Sequence, residues 1–190
     1  MILSKKAIRE CMVNGQIEIK PFADDQLNPN SYDVTLGQWI YAVVNEDGER
    51  VYYGPKLFDV GAKVPLPAGV GILGMTAEYI ATHGDLIAQL RAKSSTGREF
   101  WTVCQDAGFG DIGYCNNWTA EFSSHLNGTT YITVGQRFGQ IVFHATTPAD
   151  ESYSGQYAQA EWPECMVPKR HRGKVRPWNE YRILLNGWCY

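Results

Sequence analysis

The sequence predicts a mainly β protein: a distorted jelly-roll or β-barrel with a short N-terminal helix and few other short helices. After its N-terminal segment the chain contains one short run after another rich in β-branched and aromatic residues, which are typical of strands. Asn, Gly, Pro and Asp separate these runs, as expected of turns between strands. Many short strands with few helices favour a sandwich or jelly-roll barrel around one apolar core.

The N-terminal segment contains the clearest helix start. Ser4 is a predicted N-cap, because its hydroxyl can accept an N–H from the first helical turn. The helix is expected to run through about Val13. It should end at Asn14 and Gly15, a dipeptide typical of turns.

Strands are predicted in order along the rest of the chain. The segment QIEIK alternates apolar and polar residues, and six further runs follow it: SYDVTLGQWIYAVV, ERVYYG, GVGILGMTAEYI, WTAEFSSHL, TTYITV and FGQIVFHAT. Pro65 and Pro67 are expected at the entrance of a strand, where a missing N–H is tolerated. Within this β region, local helical turns are expected only over residues 76–100.

Length and composition indicate one domain with a tail. A chain of 190 residues is typical of a single domain. From about Tyr153 the sequence becomes rich in Gly, Ser, Gln, Tyr and Pro. Residues 1–152 are therefore predicted to form the β domain, and residues 153–190 a C-terminal tail or lid. The basic run PKRHRGKVR in this tail is interpreted as a solvated surface segment.

Charge and hydropathy patterns argue against several classes of partner. A formal net charge of -3 gives no broad attraction to a nucleic-acid backbone. No apolar run approaches the roughly 20 residues of a membrane span, and the N-terminus lacks the apolar stretch of a secretory signal. The five cysteines include no C-x-x-C pair and fit a reducing compartment. We therefore expect a cytoplasmic protein that binds neither nucleic acid nor membrane.

Three glycines, Gly108, Gly110 and Gly113, spell the G-x-G-x-x-G pattern of a dinucleotide-binding turn. That turn requires a helix after its last glycine. Here the next residues are YCNNWTAEF, which predict a strand. The glycines are instead expected to shape a tight hairpin that presents Asp111 at its turn.

The segment RAKSSTGR, residues 91–98, carries a compact set of anion donors. If Ser94 and Ser95 open a short helical turn, their hydroxyl and N–H groups point at one anion. Arg98 would then add a forked, charge-assisted contact. An ordinary N-cap beside a surface arginine remains the alternative interpretation.

Glu121 is a candidate general acid or base, because it interrupts a run that otherwise reads as a buried strand. Burial would raise the pKa of its carboxyl group and suit it to proton transfer near neutral pH. The alternative is an outward-facing glutamate, since Trp118, Ala120 and Phe122 share one parity of the strand and Glu121 has the other.

Five motifs occur in one order along the chain: SYDVTLG (31–37), AKSSTGR (92–98), AGFGDIGY (107–114), AEF (120–122) and GQRFGQIVF (135–143). In this order they resemble the dCTP deaminase branch of the dCTP deaminase/dUTPase family. The resemblance covers roughly residues 1–160. Functional positions of the family align without a gap with Ser94, Arg98, Ala107, Asp111 and Glu121.

The resemblance implies a dUTPase-like β fold and a homotrimer whose active sites lie between subunits. It implies hydrolytic deamination of dCTP to dUTP and ammonia without a protein-bound metal, with Mg²⁺ accompanying the triphosphate. Glu121 would shuttle protons for the water that attacks C4 of cytosine. The backbone near Ala107 would position that water. Asp111 would hold the deoxyribose 3′-hydroxyl, or help to activate water in members that also cleave the triphosphate.

The same resemblance implies the substrate-binding residues. Ser94, Ser95 and Arg98 would bind the phosphates. The other positions expected to contact the nucleotide are Asp111, Tyr114, Gln140, Tyr157 and Gln159. Gly110 stands where the family has Ile, and this change is expected to widen the pocket.

Zinc is not expected, because the H-x-E and P-C-x-x-C motifs of zinc nucleobase deaminases are absent from the sequence. Three alternative functions remain open. The enzyme could continue from dUTP to dUMP, or it could be a plain dUTPase, although that branch usually lacks Glu at the position of Glu121. It could also be a non-catalytic nucleotide sensor, which the departures from the family pattern at Cys104, Asp106, Gly110 and Asn116 motivate.

Overall fold

The fold is mainly β, as predicted. A computed structural model describes residues 1–155, 157 and 162–181, with only the backbone at Asp106. Its helices are α1 (Lys5–Val13) and α2 (Ser94–Arg98), and its strands are β1 (Ile17–Lys20), β2 (Tyr32–Glu46), β3 (Glu49–Leu57), β4 (Lys63–Pro67), β5 (Gly71–Thr82), β6 (Leu86–Ala92), β7 (Trp101–Thr102), β8 (Phe109–Gly110), β9 (Cys115–Ser124), β10 (Thr129–Thr133), β11 (Arg137–Ala145) and β12 (Val175–Arg176). Across these described ranges, neither helix has the length and apolar character needed to cross a bilayer.

The N-terminal helix begins where the sequence predicts. The hydroxyl of Ser4 accepts the N–H of Ala7 at 3.4 Å, and Asn14 follows the last helical residue. Only Ile8 of the helix is fully buried, so α1 packs along one narrow face. The chain then enters β1, which pairs antiparallel with the far end of β5.

One large curled sheet contains most of the strands. Its main order is β7-β9-β5-β2-β11-β6-β8, with β1 also on β5 and β3 also on β2. A separate pair, β4 and β10, covers the same core through Val64, Leu66 and Ile132, all fully buried. The sheet and this pair enclose one apolar interior, as the strand pattern predicts for a barrel.

Helical turns were expected over residues 76–100, and most of that expectation is wrong. Only Ser94–Arg98 is helical, whereas the preceding residues complete β5 and form β6. β6 pairs along its whole length with β11, from Leu86 opposite Ala145 to Ala92 opposite Gly139. This long-range ladder, with Leu86, Ala88 and Leu90 buried, outweighs the local helix propensity of the segment.

Two smaller expectations also need correction. Pro65 and Pro67 lie at the middle and end of β4, not at its entrance. Residues two apart direct their nitrogens to the same strand edge, and β4 pairs only with β10 within the described residues, so its other edge accommodates both prolines.

The segment 107–113 does not form the predicted hairpin, because β8 pairs with β6 whereas β9 pairs with β5 and β7. The predicted turn at Asp111 does exist: the Tyr114 N–H donates to the Asp111 carbonyl at 3.0 Å, and Gly113 has φ +80°. No helix follows Gly113, since β9 begins at Cys115.

Residues 162–176 of the described tail lie against the outer face of the sheet, whereas Trp178 and Tyr181 pack with the main core. After a 3-10 turn at Glu164–Met166, a second runs over Lys169–Lys174, and β12 then pairs parallel with β3. Cys165, Met166 and Val167 are buried against Tyr41, Tyr52 and Leu73 in a second apolar cluster. The tail therefore adds a layer over the face of β2, β3 and β5 that points away from the main core.

Gly108 allows its own backbone to lie very close to the backbone of Leu90 on β6. The Leu90 N–H donates to the Gly108 carbonyl at 2.7 Å, and a Cβ at Gly108 would lie 2.1 Å from the Leu90 carbonyl oxygen. That contact involves backbone and cannot be relieved by a side-chain rotation.

We expect Gly108→Ala to destabilise the protein by about 1–3 kcal/mol, the usual cost of overpacking. Urea denaturation would measure the change. The matched control is Gly97→Ala, because a Cβ at Gly97 meets no atom within 4 Å. Equal stability of the two variants would contradict the close approach.

Candidate active site

A cavity of about 750 Å³ lies between the outer face of β5 and β9, the loop before β9, and the tail. Five of the predicted site residues line it: Ala107, Asp111, Tyr114, Glu121 and Tyr157. Gln159, also predicted, lies outside the described residues. The structure thus brings the predicted catalytic residues of one chain into a single cavity.

Glu121 owes its place to the alternation of β9. Ala120 and Phe122 are fully buried in the main core, and Glu121 points to the opposite face, where it pairs in register with Leu73 of β5. The tail covers this second face, so Glu121 is half-buried although it points away from the core. Burial raises the pKa of its carboxyl group from 4.5 to about 7, against a smaller lowering by its own backbone N–H.

A strained turn places Ala107 beside Glu121. Cys104 and Gln105 have φ values of 72° and 43°, which non-glycine residues rarely adopt. The Cys104 carbonyl accepts the Ala107 N–H at 2.7 Å, and Gln105 Nε2 donates to the Ser123 hydroxyl on β9 at 2.8 Å. These bonds hold the turn against β9. Such strain is common at functional sites, where the surrounding structure enforces it.

Cys104 serves as packing in this turn. Its thiol is buried, and its pKa rises to about 12, first because of burial and then because of the nearby Glu121 carboxylate. A thiol that stays protonated is a poor nucleophile. The side chain of Asp106, another departure from the family pattern, lies outside the described part of the chain.

An aromatic wall closes one side of the cavity. The Tyr114 ring meets Trp118 edge-to-face at 5.1 Å and Tyr153 at 5.6 Å. Trp118 also corrects the expectation that Gly110 widens the pocket. A Cβ at Gly110 would lie 2.4 Å from the Trp118 ring, so the space left by the missing side chain is filled by the indole.

Asn116 fastens the tail over the cavity. Its Nδ2 donates to the Tyr157 carbonyl at 3.2 Å, and its Oδ1 accepts the indole N–H of Trp162 at 3.0 Å. A third bond runs from the Tyr153 N–H to the Ile112 carbonyl at 2.8 Å. The sequence marks Asn116 only as a departure from a family pattern. It gives no indication that Trp118 and Tyr153 line the cavity.

The predicted phosphate-binding turn lies elsewhere in the chain. α2 spans Ser94–Arg98, as expected, and Thr96 anchors it through a hydroxyl that donates to the Phe138 carbonyl at 2.7 Å. Lys93, the N-cap residue, forms an ion pair with the buried Asp33. With its inner side fixed in this way, α2 exposes Ser94, Ser95 and Arg98 on the surface.

Gln140 belongs to the same side of the molecule as α2. It lies on β11 opposite Asp33 of β2 and accepts a hydrogen bond from the Ser31 hydroxyl at 3.2 Å. None of the exposed α2 residues, nor Gln140, lines the cavity of Glu121. Within one chain the predicted residues therefore form two groups: a cavity group and a surface-turn group.

A family model described as dCTP deaminase-like matches residues 2–146. The chain belongs to the dCTP deaminase-like family. The matched region contains both groups of site residues except Tyr157, whereas the tail that covers the cavity follows it. The aromatic wall thus combines Tyr114 and Trp118 from the family domain with Tyr153 from beyond it.

Curated members of this family align over most of the chain. The "dCTP deaminase, dUMP-forming" of Methanocaldococcus jannaschii is 32% identical over 183 residues, covering 81% of this chain and 87% of that protein. The protein of the same name from Cytophaga hutchinsonii is 34% identical and covers 83% and 90%. The "dCTP deaminase" of Haloarcula marismortui is 31% identical and covers 82% and 87%.

A solved structure shares the fold. The 2'-deoxycytidine 5'-triphosphate deaminase from Agrobacterium tumefaciens superposes with a TM-score of 0.60 at 25% identity. The match covers 76% of this chain and 48% of that one, so the present chain spans about half the length of the Agrobacterium protein.

The raised pKa of Glu121 makes stability depend on pH. Between pH 4.5 and about 7 the folded protein holds a proton that the unfolded chain releases, so its stability falls as the pH rises through this window. Glu121→Gln removes the effect. Above pH 7 the variant should be more stable than wild type by about 2–3 kcal/mol, and below pH 4.5 the two should be alike.

Urea denaturation across this pH range would measure the difference. Glu151→Gln, which removes an exposed carboxylate just before the tail, is the control for the charge change itself. A difference between wild type and Glu121→Gln that does not grow with pH would show that the carboxyl group is not desolvated.

Proposed function

We propose that this protein deaminates dCTP by hydrolysis, giving dUTP and ammonia. The observation that carries the proposal is a half-buried carboxyl group, Glu121, with its pKa raised to about 7, inside a cavity of about 750 Å³. A group with that pKa accepts and returns protons efficiently near neutral pH. The names of the curated relatives support dCTP as the substrate.

In the proposed reaction, Glu121 takes a proton from water as the water oxygen attacks C4 of cytosine. The proton passes to the ring nitrogen N3, which gives a tetrahedral intermediate at C4. Glu121 then takes the proton of the new hydroxyl and delivers it to the amino group. Ammonia leaves as the C4–N bond breaks and the C4 carbonyl forms. The backbone at Ala107, held next to β9 by the Cys104 turn, is proposed to position the water.

The phosphates require the second group of residues. We propose that dCTP arrives with Mg²⁺ on its triphosphate and that Ser94, Ser95 and Arg98 bind this end of the molecule. Because these residues lie outside the cavity of their own chain, a neighbouring subunit of a homotrimer would supply them. Two exposed aromatic residues support such an interface: Phe100, just after α2, is 60% exposed, and Phe109, at the cavity, is 59% exposed.

A second candidate function is further cleavage of the triphosphate to give dUMP. Asp111 lies in the same cavity as Glu121 and offers a carboxylate for activating a second water. The relatives from M. jannaschii and C. hutchinsonii carry dUMP-forming in their names. Both observations favour this extension of the deaminase reaction.

Glu121→Gln should retain dCTP binding and lose at least roughly a hundredfold in kcat, the usual effect of removing a general base. Ammonia release would measure turnover, and calorimetry would measure binding. Glu99→Gln, an exposed carboxylate on the surface after α2, is the matched control. Near-native turnover by Glu121→Gln would contradict its role, and binding without any turnover by wild type would favour a nucleotide sensor.

Product analysis separates the two candidate reactions. Wild-type protein with dCTP and Mg²⁺ should give dUMP and pyrophosphate if the second cleavage occurs, and Asp111→Asn should then accumulate dUTP. Anion-exchange chromatography of a time course resolves the three nucleotides. Wild-type reactions that end at dUTP would restrict the enzyme to deamination.

Mixed oligomers test the shared site. Glu121→Gln and Arg98→Ala should each be nearly inactive alone. If each site combines Glu121 of one subunit with Arg98 of the next, coexpressing the two variants should restore activity to about a quarter of wild type, because random mixing leaves that share of sites intact. Coexpressing Glu121→Gln with the double variant Glu121→Gln/Arg98→Ala should give no such recovery, because every site then lacks Glu121. Failure of the first pair to recover would place both residues in one subunit's site.

A further inference from the structure

A second cavity, of about 620 Å³, adjoins the active-site cavity and is distinctly basic. Val43, Arg50 and Gly71 line both cavities, so the two share a wall. Its far side is the second 3-10 turn of the tail, which contributes Arg170, His171 and Lys174.

The charges around this cavity do not balance. Its lining includes three cations, Arg50, Arg170 and Lys174, and one carboxylate, Glu49. Glu49 forms an ion pair with Lys174, whose Nζ lies 2.8 Å from Glu49 Oε2. Among the described residues, Arg50 and Arg170 have no carboxylate partner. The whole chain carries a net charge of -3, so this excess of positive charge is local.

His171 adds an unpaired donor to the same wall. Its Nε2 accepts the Nε–H of Arg170 at 3.1 Å, so the neutral ring carries its proton on Nδ1. That Nδ1 is buried and has no hydrogen-bond partner among the described residues. The pKa of His171 is lowered by desolvation and then by Arg170, Arg50 and Lys174, and all three cations line the same cavity as the ring.

The basic cavity is also electrostatically connected to the active site. Arg170 opposes the rise in the pKa of Tyr157, a residue that lines the active-site cavity. The His171 ring lies 5.5 Å from that of Tyr52, which lines the same cavity. An anion held by Arg50 and Arg170 would therefore lie directly beside a nucleotide bound at Glu121.

We propose that Arg50, Arg170, His171 and Lys174 form a binding site for a phosphate chain. Guanidinium groups bind phosphate oxygens in a forked, charge-assisted way, and the imidazole N–H adds a neutral donor. The phosphate chain is either that of the nucleotide in the adjoining cavity or a separate polyphosphate anion. The site is distinct from the Ser94–Arg98 turn, which lies on α2 and lines neither cavity.

Calorimetric titration with inorganic tripolyphosphate tests the site directly. Full-length protein carrying Arg98→Ala serves as the background, so that α2 does not contribute. In about 0.15 M salt, where distant surface charges are largely screened, adding Arg170→Ala should weaken binding about tenfold or more. Lys169→Ala is the matched control: it removes the same charge from the neighbouring residue, which does not line the cavity.

A second variant on another element guards against local misfolding of the tail. Arg50→Ala on β3 should weaken binding to a similar extent, with an unchanged thermal transition. Equal affinities of the Arg170→Ala, Arg50→Ala and Lys169→Ala proteins would overturn the proposal. This readout does not involve turnover, so it stands or falls separately from dCTP deamination.

Kinetics on the otherwise wild-type chain distinguish the two sources of phosphate. If the nucleotide's own chain enters the site, protein saturated with dCTP should no longer bind tripolyphosphate, and Arg170→Ala should raise KM with little change in kcat. If a separate anion binds, tripolyphosphate should still bind the protein saturated with dCTP. Either result supports a phosphate site, and binding to the saturated protein identifies its occupant.

Discussion

The antiparallel pairing of β9 with β5 sets the geometry of the active site. It fixes the parity of β9, so Phe122 enters the main core and Glu121 faces the opposite side. On an open sheet that side would be solvated, and a carboxyl group there would titrate normally. Here the tail forms a second layer over it, and the cavity lies between the layers. One register therefore determines both the packing of the barrel and the environment of the Glu121 carboxyl group.

Contacts with the same sheet also decide which face of α2 is exposed. Thr96 and Lys93 tie the turn to β11 and β2, which leaves its serines and arginine directed outwards. A rigid turn with exposed donors is suited to a ligand that it does not itself enclose. The cavity has the complementary character: it encloses volume and holds a titratable carboxyl group, yet among the described residues Arg50 alone supplies a cation to its lining. The cavity thus carries the carboxyl group, and the surface of α2 carries the anion donors. This division is what the proposed shared site would require.

The sequence predicted those features that depend on local chemistry. Ser4 specifies the start of α1, alternation specifies the strands, and the serines of RAKSSTGR specify a short helical turn. The misassigned segments depend on distant partners. β6 is a strand because β11 pairs with it, and residues 107–110 follow β6 rather than folding back on β9. For Glu121, parity correctly indicated the outer face, but nothing in the local pattern indicated that the tail would cover that face.

Three site residues that the sequence did not predict, Trp118, Tyr153 and Asn116, also depend on partners distant in sequence. Trp118 has the parity of a core residue, and its contact with Gly110 arises only when β8 and β9 come together. Tyr153 lies at the start of the tail. The amino-acid composition changes there, but it does not indicate that the chain folds back onto the cavity. Asn116 was visible as an unusual residue, although its function requires knowing that Tyr157 and Trp162 lie within reach of one amide.

The hydrogen bonds between Asn116 and the tail bear on how Glu121 is shielded from water. Four residues that line the cavity of Glu121 lie beyond the part of the chain that matches the family model: Tyr153, Tyr157, Met166 and Pro168. The segment after the family domain therefore contributes to the enclosure of Glu121, whereas β9 within the domain fixes its position. Substitutions in that segment, although remote in sequence from Glu121, would change the hydration of its carboxyl group and with it the pH at which the group titrates.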